Sequence, residues 1–264
     1  MVIRPLHARL ALMMFLQFFV LGSWLVTTGT YLLETLSFTG NQVGLVYAGT
    51  AIGAIVSPFI SGLIADRYVA LEKFMAILHG LSAITMFILA QVVTFPWFYP
   101  LVIVYLVLHM PTMGLSTAMC FHHIEDPNTH FPRVRAWGTL GFVVAGLVVG
   151  SLGLEQMVTP LYISATASVM YALYCLTLPH TPPSEEAKQR SVAQLIGLEA
   201  FGLLKRRPFA ILMLALTLIC VPSAFYYSFV NPYLNEIGIQ NAAGKMTMGQ
   251  MSEIFFLLTL PFFL

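Results

Sequence analysis

The chain has 264 residues, of which 58% are hydrophobic and only 9% are charged, with a formal net charge of +1. Soluble domains carry about 25% charged residues, so this composition excludes a water-soluble globular enzyme, a disordered chain and a nucleic-acid binder. The mean hydropathy of +0.85 points to a lipid bilayer as the solvent. Cys120, Cys175 and Cys220 lie in apolar runs without pairing or metal spacing, and read as small buried hydrophobes. No cleavable signal peptide is evident, because the first apolar stretch is longer than a signal core and lacks a small-residue cleavage site.

A spanning helix needs roughly 20 mostly apolar residues. Eight segments qualify, at about 10–33, 42–64, 74–94, 97–121, 134–154, 158–178, 208–232 and 246–264. Their connections are short, apart from 179–207. Counting gaps in order, eleven of the twelve basic residues fall on one side, from Arg4 and Arg9 to Lys205, Arg206 and Arg207; only Lys245 lies opposite. The positive-inside rule makes the basic side, and with it the N-terminus, cytoplasmic.

The connection at 179–207 opens with Pro179-His180-Thr181-Pro182-Pro183, which stops the sixth segment. Val192 to Leu204 is semi-apolar and predicts an amphipathic helix on the membrane surface. Six spans, a long basic linker and further spans follow the plan of a transporter built from two six-helix halves. The expected units are a six-helix half at 1–178, a cytoplasmic linker at 179–207 and the first two helices of a second half at 208–264. The last segment runs into Leu264 without a polar flank, which reads as a partial chain.

Ionisable residues inside spans mark function by default, because lipid does not solvate charge. Glu253 lies some seven residues into the eighth segment, with Gln250 on the same face. At that depth it should face a cavity or a partner, and it suits proton carriage. Arg135 and Thr139 are four residues apart at the start of the fifth segment, and share a face with Phe142. Arg133 reads instead as a snorkelling interfacial residue. Trp24, Thr27, Thr28 and Tyr31 fall on or near one face of the first segment, and Pro222 breaks the seventh before Phe225-Tyr226-Tyr227. A broken helix bearing aromatic rings suits stacking on a flat ring such as a nucleobase. His79 and His109 read as hydrogen-bonded interior residues, and His122 to His130 as a solvated loop; a metal enzyme using that loop is the alternative from another class.

Gly62, followed by Leu63-Ile64-Ala65 and then Asp66-Arg67, resembles the cytoplasmic loop motif of the major facilitator transporters, a charge-bearing latch between helices. More specifically, the chain resembles the nucleoside:H+ symporter family of that superfamily. The resemblance is carried by Phe15-Leu16-Gln17-Phe18, Gly22-Ser23-Trp24-Leu25, Met110-Pro111-Thr112, Phe131 to Thr139, Leu176 to His180, Gln250-Met251-Ser252-Glu253 and Leu258 to Phe263. It implies an all-α polytopic membrane protein of the major facilitator fold, in a bacterial inner membrane. It also implies proton-driven nucleoside uptake without a cofactor. Twelve helices are expected in such a protein, so transport would need the missing C-terminal helices or a second chain. By the same resemblance Arg135, Thr139, Phe142, Gln250 and Glu253 line the substrate site, with Glu253 coupling the proton. Tyr227, Trp24 and Thr28 complete the candidate set. Where family members carry a Gln and an Asn in the seventh helix, this chain has Ala224 and Tyr227, closer to a less characterised branch. Losing a buried hydrogen-bonding pair alters which substrates bind. Another small polar solute is therefore the alternative cargo.

Overall fold

The computed structural model describes residues 5–65, 67–183 and 198–259. Each of the eight expected spans is a helix. Helix α1 is Pro5–Leu25, continued after a break by Thr28–Thr30 and a π-helical turn at Tyr31–Thr35. The next five are α2 (Gly40–Ile60), α3 (Leu71–Leu89), α4 (Phe95–His123), α5 (Pro127–Ser151) and α6 (Thr159–Cys175). Helix α7 (Arg207–Phe225) passes through a π-helical turn at Tyr226–Val230 into Asn231–Glu236, and α8 is Ala242–Thr259. Six of these helices, with their continuations, are long and apolar enough to cross a membrane. The other two are α6, with 17 residues, and α8, whose apolar run is diluted by Lys245, Gln250 and Glu253.

Local chemistry sets the boundaries. Thr39 and Gln42 form a reciprocal capping box that opens α2. The Asp126 side chain accepts the Thr129 amide N–H, with Pro127 in the first turn, and opens α5. Those hydrogen bonds to Thr129 hold the Asp126 carboxyl below its ordinary range. The same cap corrects one expectation. The stretch from His122 to His130 is not a loop, because α4 runs to His123 and α5 begins at Pro127. Among the described residues no group of His, Cys, Asp or Glu side chains gathers into a metal site. A second correction concerns the linker. The described part of the expected amphipathic helix is a 3-10 helix at Leu198–Lys205, with Gly202 weakening any α-helix there. Residues 184–197, and Asp66 of the loop motif, lie outside the described residues.

Helix α1 packs against α5 and α6; α3 packs against α6 and α4, and α2 against α4. This is the six-helix N-terminal half of the major facilitator fold, and α7 and α8 begin the second half. Close approach is possible where glycine removes a side chain. A Cβ at Gly141 on α5 would run into the Phe15 carbonyl of α1. Outward-facing Ile55, Ile84 and Leu173 are exposed because lipid is their solvent. Polar groups inside the bundle pair with one another. Gln17 Nε2 donates to Thr112 Oγ1 at 2.9 Å, and Gln17 Oε1 accepts from His79 Nε2 at 3.2 Å. Cys120 and Cys175 are buried as expected, but Cys220 is exposed, because the Arg207–Phe225 part of α7 buries none of its side chains against other helices.

Candidate functional site

Helices α5 and α8 lie side by side, and the candidate site forms along their contact. Arg135 projects from the third turn of α5 toward α8. Its Nη2 lies 3.5 Å from Glu253 Oε1, and its Nη1 donates to Thr139 Oγ1 at 3.3 Å. The guanidinium carbon also stands 4.0 Å from the ring centre of Phe18 on α1, a cation–π contact. Gly138 makes room for it, since a Cβ there would meet both Phe18 and Arg135. The guanidinium is thus held from three sides by α1, α5 and α8. It keeps donors to spare, because Arg carries five N–H groups.

An aromatic wall continues from this charge. Phe142 and Tyr227 meet edge to face, with ring centres 6.3 Å apart, and Tyr226 stands edge-on to Tyr227. Gln250, one turn before Glu253, is buried, and its Oε1 has no hydrogen-bond partner. Glu253 is about half exposed. The π-helical turn after Pro222 turns Tyr226 and Tyr227 toward α8, where the Tyr226 hydroxyl donates to the Met246 carbonyl. A shallow cavity of about 330 Å³ lined by Pro222, Ser223, Tyr226 and Tyr227 opens beside them. Arg135, Thr139, Phe142, Tyr227, Gln250 and Glu253 are therefore gathered around one α5–α8 face.

Trp24 and Thr28 are not part of that open face. Trp24 shares an apolar cluster with Phe142, but it is buried with its ring edge-on to Tyr105, and the Thr28 hydroxyl donates to the Trp24 carbonyl. Both stand within the wall behind the site. Arg67 is half-buried after the π-helical turn at Ser61–Ala65, at a distance along the chain from the candidate site.

A family model for the nucleoside H+ symporters matches residues 5–264. The chain belongs to that family. The Escherichia coli protein YegT is 38% identical over 97% of this chain and 61% of its own length. The nucleoside permease NupG of the same organism is 35% identical over 98% of this chain and 65% of its own. Escherichia coli xanthosine permease is 36% identical over 97% of this chain and 65% of its own. The chain thus spans a little under two thirds of the length of these relatives. A crystal structure of the nucleoside transporter NupG (D323A mutant) superposes with a TM-score of 0.89 at 35% identity, covering 98% of this chain and 68% of that one. The family is one of transporters, not enzymes.

Two residues escaped the sequence reading. Phe18 was part of the motif that carried the resemblance, but nothing in its spacing puts it under Arg135. Glu155, in the connection between α5 and α6, is buried where α5 ends and α8 begins. Its Oε2 accepts from Asn231 Nδ2 at 2.9 Å and Asn235 Nδ2 at 2.7 Å, and its Oε1 accepts the Ala243 N–H at 2.9 Å. Asn231 in turn accepts from the Thr30 hydroxyl at 2.5 Å. One carboxylate thereby ties the first half to both helices of the second. The available signal was the Asn231/Asn235 pair, four residues apart on one helical face.

Proposed function

We propose that the whole protein takes up nucleosides across a bacterial inner membrane by proton symport. The observation that carries this reading is the Arg135–Glu253 contact at 3.5 Å, joining the two halves beside Phe142, Tyr227 and Gln250. Spare guanidinium donors and the unpartnered Gln250 Oε1 suit the oxygen and nitrogen edges of a nucleoside. Phe142 and Tyr227 suit stacking on its base. Family membership and the NupG and xanthosine permease relatives support the substrate class.

In this reading Glu253 couples the two ligands. Ionised, it holds Arg135; protonated, it releases the guanidinium to the nucleoside. Protonation and nucleoside binding then favour one another, as reciprocal linkage requires. The N-terminus is cytoplasmic, the first half ends near 178 and the second begins near 208, with the linker on the cytoplasmic side. Alternating access needs helices beyond α8, supplied by a longer chain or a second one. Trp24 and Thr28 back the site from within the wall, and Gly62, Asp66 and Arg67 form the cytoplasmic latch.

The test is uptake by the full-length protein in transport-deficient cells, with and without a protonophore. Wild type should accumulate nucleoside and lose accumulation with the protonophore. Glu253→Gln should abolish proton-driven accumulation while still binding nucleoside. If accumulation survives Glu253→Gln and still collapses with the protonophore, Glu253 is not the coupling group. If uridine, adenosine and inosine all fail to compete for uptake, the nucleoside assignment falls.

A further inference from the structure

We infer that the first half binds ordered water in a polar column at its centre, walled by α1, α3, α4 and α6. The inference does not depend on the transport reading. The column draws its groups from helices other than α5, α7 and α8. It is therefore separate from the α5–α8 site and from the seam that Glu155 fastens between the two halves.

Hydrogen-bond directions at one end of the column are fixed. The Thr112 hydroxyl donates to the His109 carbonyl at 2.6 Å, so toward Gln17 Nε2, at 2.9 Å, it accepts. The Gln17 amide is thereby oriented, and its Oε1 accepts from His79 Nε2 at 3.2 Å. As a neutral imidazole, His79 then carries its proton on Nε2 and leaves Nδ1 as a bare acceptor. That Nδ1 is buried and has no partner among the described residues. The His79 ring packs on Tyr171 of α6, with ring centres 4.2 Å apart, and stands edge-on to His109 of α4 at 5.6 Å. Helices α3 and α6 run in opposite directions. Ser82, one turn beyond His79, and Ser168, one turn before Tyr171, therefore reach the same level. Both serine hydroxyls are buried without a partner. His109 is 0% exposed, stacks on Tyr105 at 5.3 Å, and has no partner at either nitrogen. It departs from the hydrogen-bonded interior histidine that the sequence led us to expect.

A buried polar group without a partner forfeits the hydrogen bonds it would make with water, and native interiors leave few such groups. Rotation can return a serine hydroxyl to the carbonyl one turn back, as Thr85 does with Leu81. Rotation does not rescue His109, whose ring is held between Tyr105 and His79. The unmet demand is mixed. His79 Nδ1 needs a donor, and a neutral His109 needs one donor and one acceptor. Water supplies both kinds, and buried water takes this bridging place in protein interiors. An anion offers no donor to His79 Nδ1. A simple cation meets no carboxylate, since among the described residues none of these groups makes an ion pair, and an unpaired buried charge is costly. A transition metal takes about three or four protein ligands. Beyond the two imidazoles, no Cys, Asp or Glu joins them among the described residues. Bridging water would thus tie α3, α4 and α6 to the Gln17 network of α1 and make these four helices one body.

X-ray hydroxyl-radical footprinting of the full-length protein in lipid nanodiscs, read by mass spectrometry, tests this. Radicals born from bound water mark the side chains beside it, where bulk water does not reach. Tyr105 and Tyr171 are the probes, because both are fully buried and neither hydroxyl forms a hydrogen bond among the described residues. Tyr47 is the control. It is also buried, but its hydroxyl donates to the Leu25 carbonyl at 2.6 Å and accepts the Gly29 N–H at 3.0 Å. Tyr105 and Tyr171 should be modified several-fold faster than Tyr47. His109→Phe keeps a ring and removes both nitrogens. It should bring Tyr105 down toward the Tyr47 rate without raising the melting temperature. In a dry column the same change removes a costly unpartnered group, and the melting temperature should rise. Ser168→Ala is a smaller change; it should slow labelling at Tyr171 and serves if His109→Phe fails to fold. Equal rates at the three tyrosines, rates that neither variant alters, or a higher melting temperature in His109→Phe overturns the inference. So does stoichiometric metal in the purified wild type that is lost in His109→Phe.

Discussion

Glu155 and Glu253 occupy opposite ends of the same helix pair, and their surroundings differ in every respect that matters for a carboxylate. Glu155 is buried, accepts three hydrogen bonds and touches no cation among the described residues, whereas Glu253 is about half exposed and stands 3.5 Å from a guanidinium that Thr139 and Phe18 also hold. The first arrangement fastens two halves together. The second leaves a charge pair loose enough for a ligand to enter it. In the transport reading proposed above, the first would seal one end while the second stays available to substrate.

The largest expected effect that sharpens this contrast is on stability. Glu155→Ala strands three donors and should cost about 3 kcal/mol or more, whereas Glu253→Ala removes a loose, partly exposed contact and should cost under about 1 kcal/mol. Thermal unfolding of the purified full-length protein measures both, and equal losses would break the comparison. Next comes one glycine from each end. Gly150→Ala should destabilise by about 1–3 kcal/mol, because its Cβ meets Asn241 and the Gly244 amide. Gly249→Ala, whose nearest neighbour would be the Tyr226 hydroxyl at 3.7 Å, should be neutral or stabilise α8 by up to about 1 kcal/mol. The same unfolding assay ranks them, and a Gly249→Ala loss matching Gly150→Ala would mean that both ends are equally tight. A small effect is also expected at Phe18. Phe18→Leu removes about 0.5–1 kcal/mol of cation–π attraction, so nucleoside affinity should weaken roughly two- to five-fold. Equilibrium binding measures it, and an unchanged affinity would mean that Phe18 does not position Arg135.

Much of this molecule was legible in one dimension. Each spanning helix announced itself as an apolar run, because a bilayer demands about 20 apolar residues and an internally hydrogen-bonded backbone. Arg135 and Thr139 were readable as partners because four residues is one helical turn, and they do hydrogen-bond. The reading erred where local chemistry outvoted hydropathy. Asp126 and Pro127 start α5 seven residues before its apolar run, and so absorb most of the histidine stretch into helices. Helical periodicity also does not say which neighbour a face meets. Trp24 and Thr28 carry a polar-aromatic face, but that face turns into the bundle toward Tyr105 rather than toward the α5–α8 contact.

The sequence by itself determined the solvent, the number and order of the helices, the family, and which residues carry charge inside the membrane. Those properties follow from short-range rules: the length of an apolar run, the 3.6-residue repeat and the motifs of one chain segment. Tertiary structure alone decided the partners. Arg135 and Glu253 are 118 positions apart, and the Glu155 side chain bonds residues 76 to 88 positions away. Such pairings depend on how whole helices pack, through glycine contacts such as Gly141 on Phe15 and Gly150 on Gly244. A one-dimensional pattern carries no distance between helices, so the seam and the site appear only when the bundle closes.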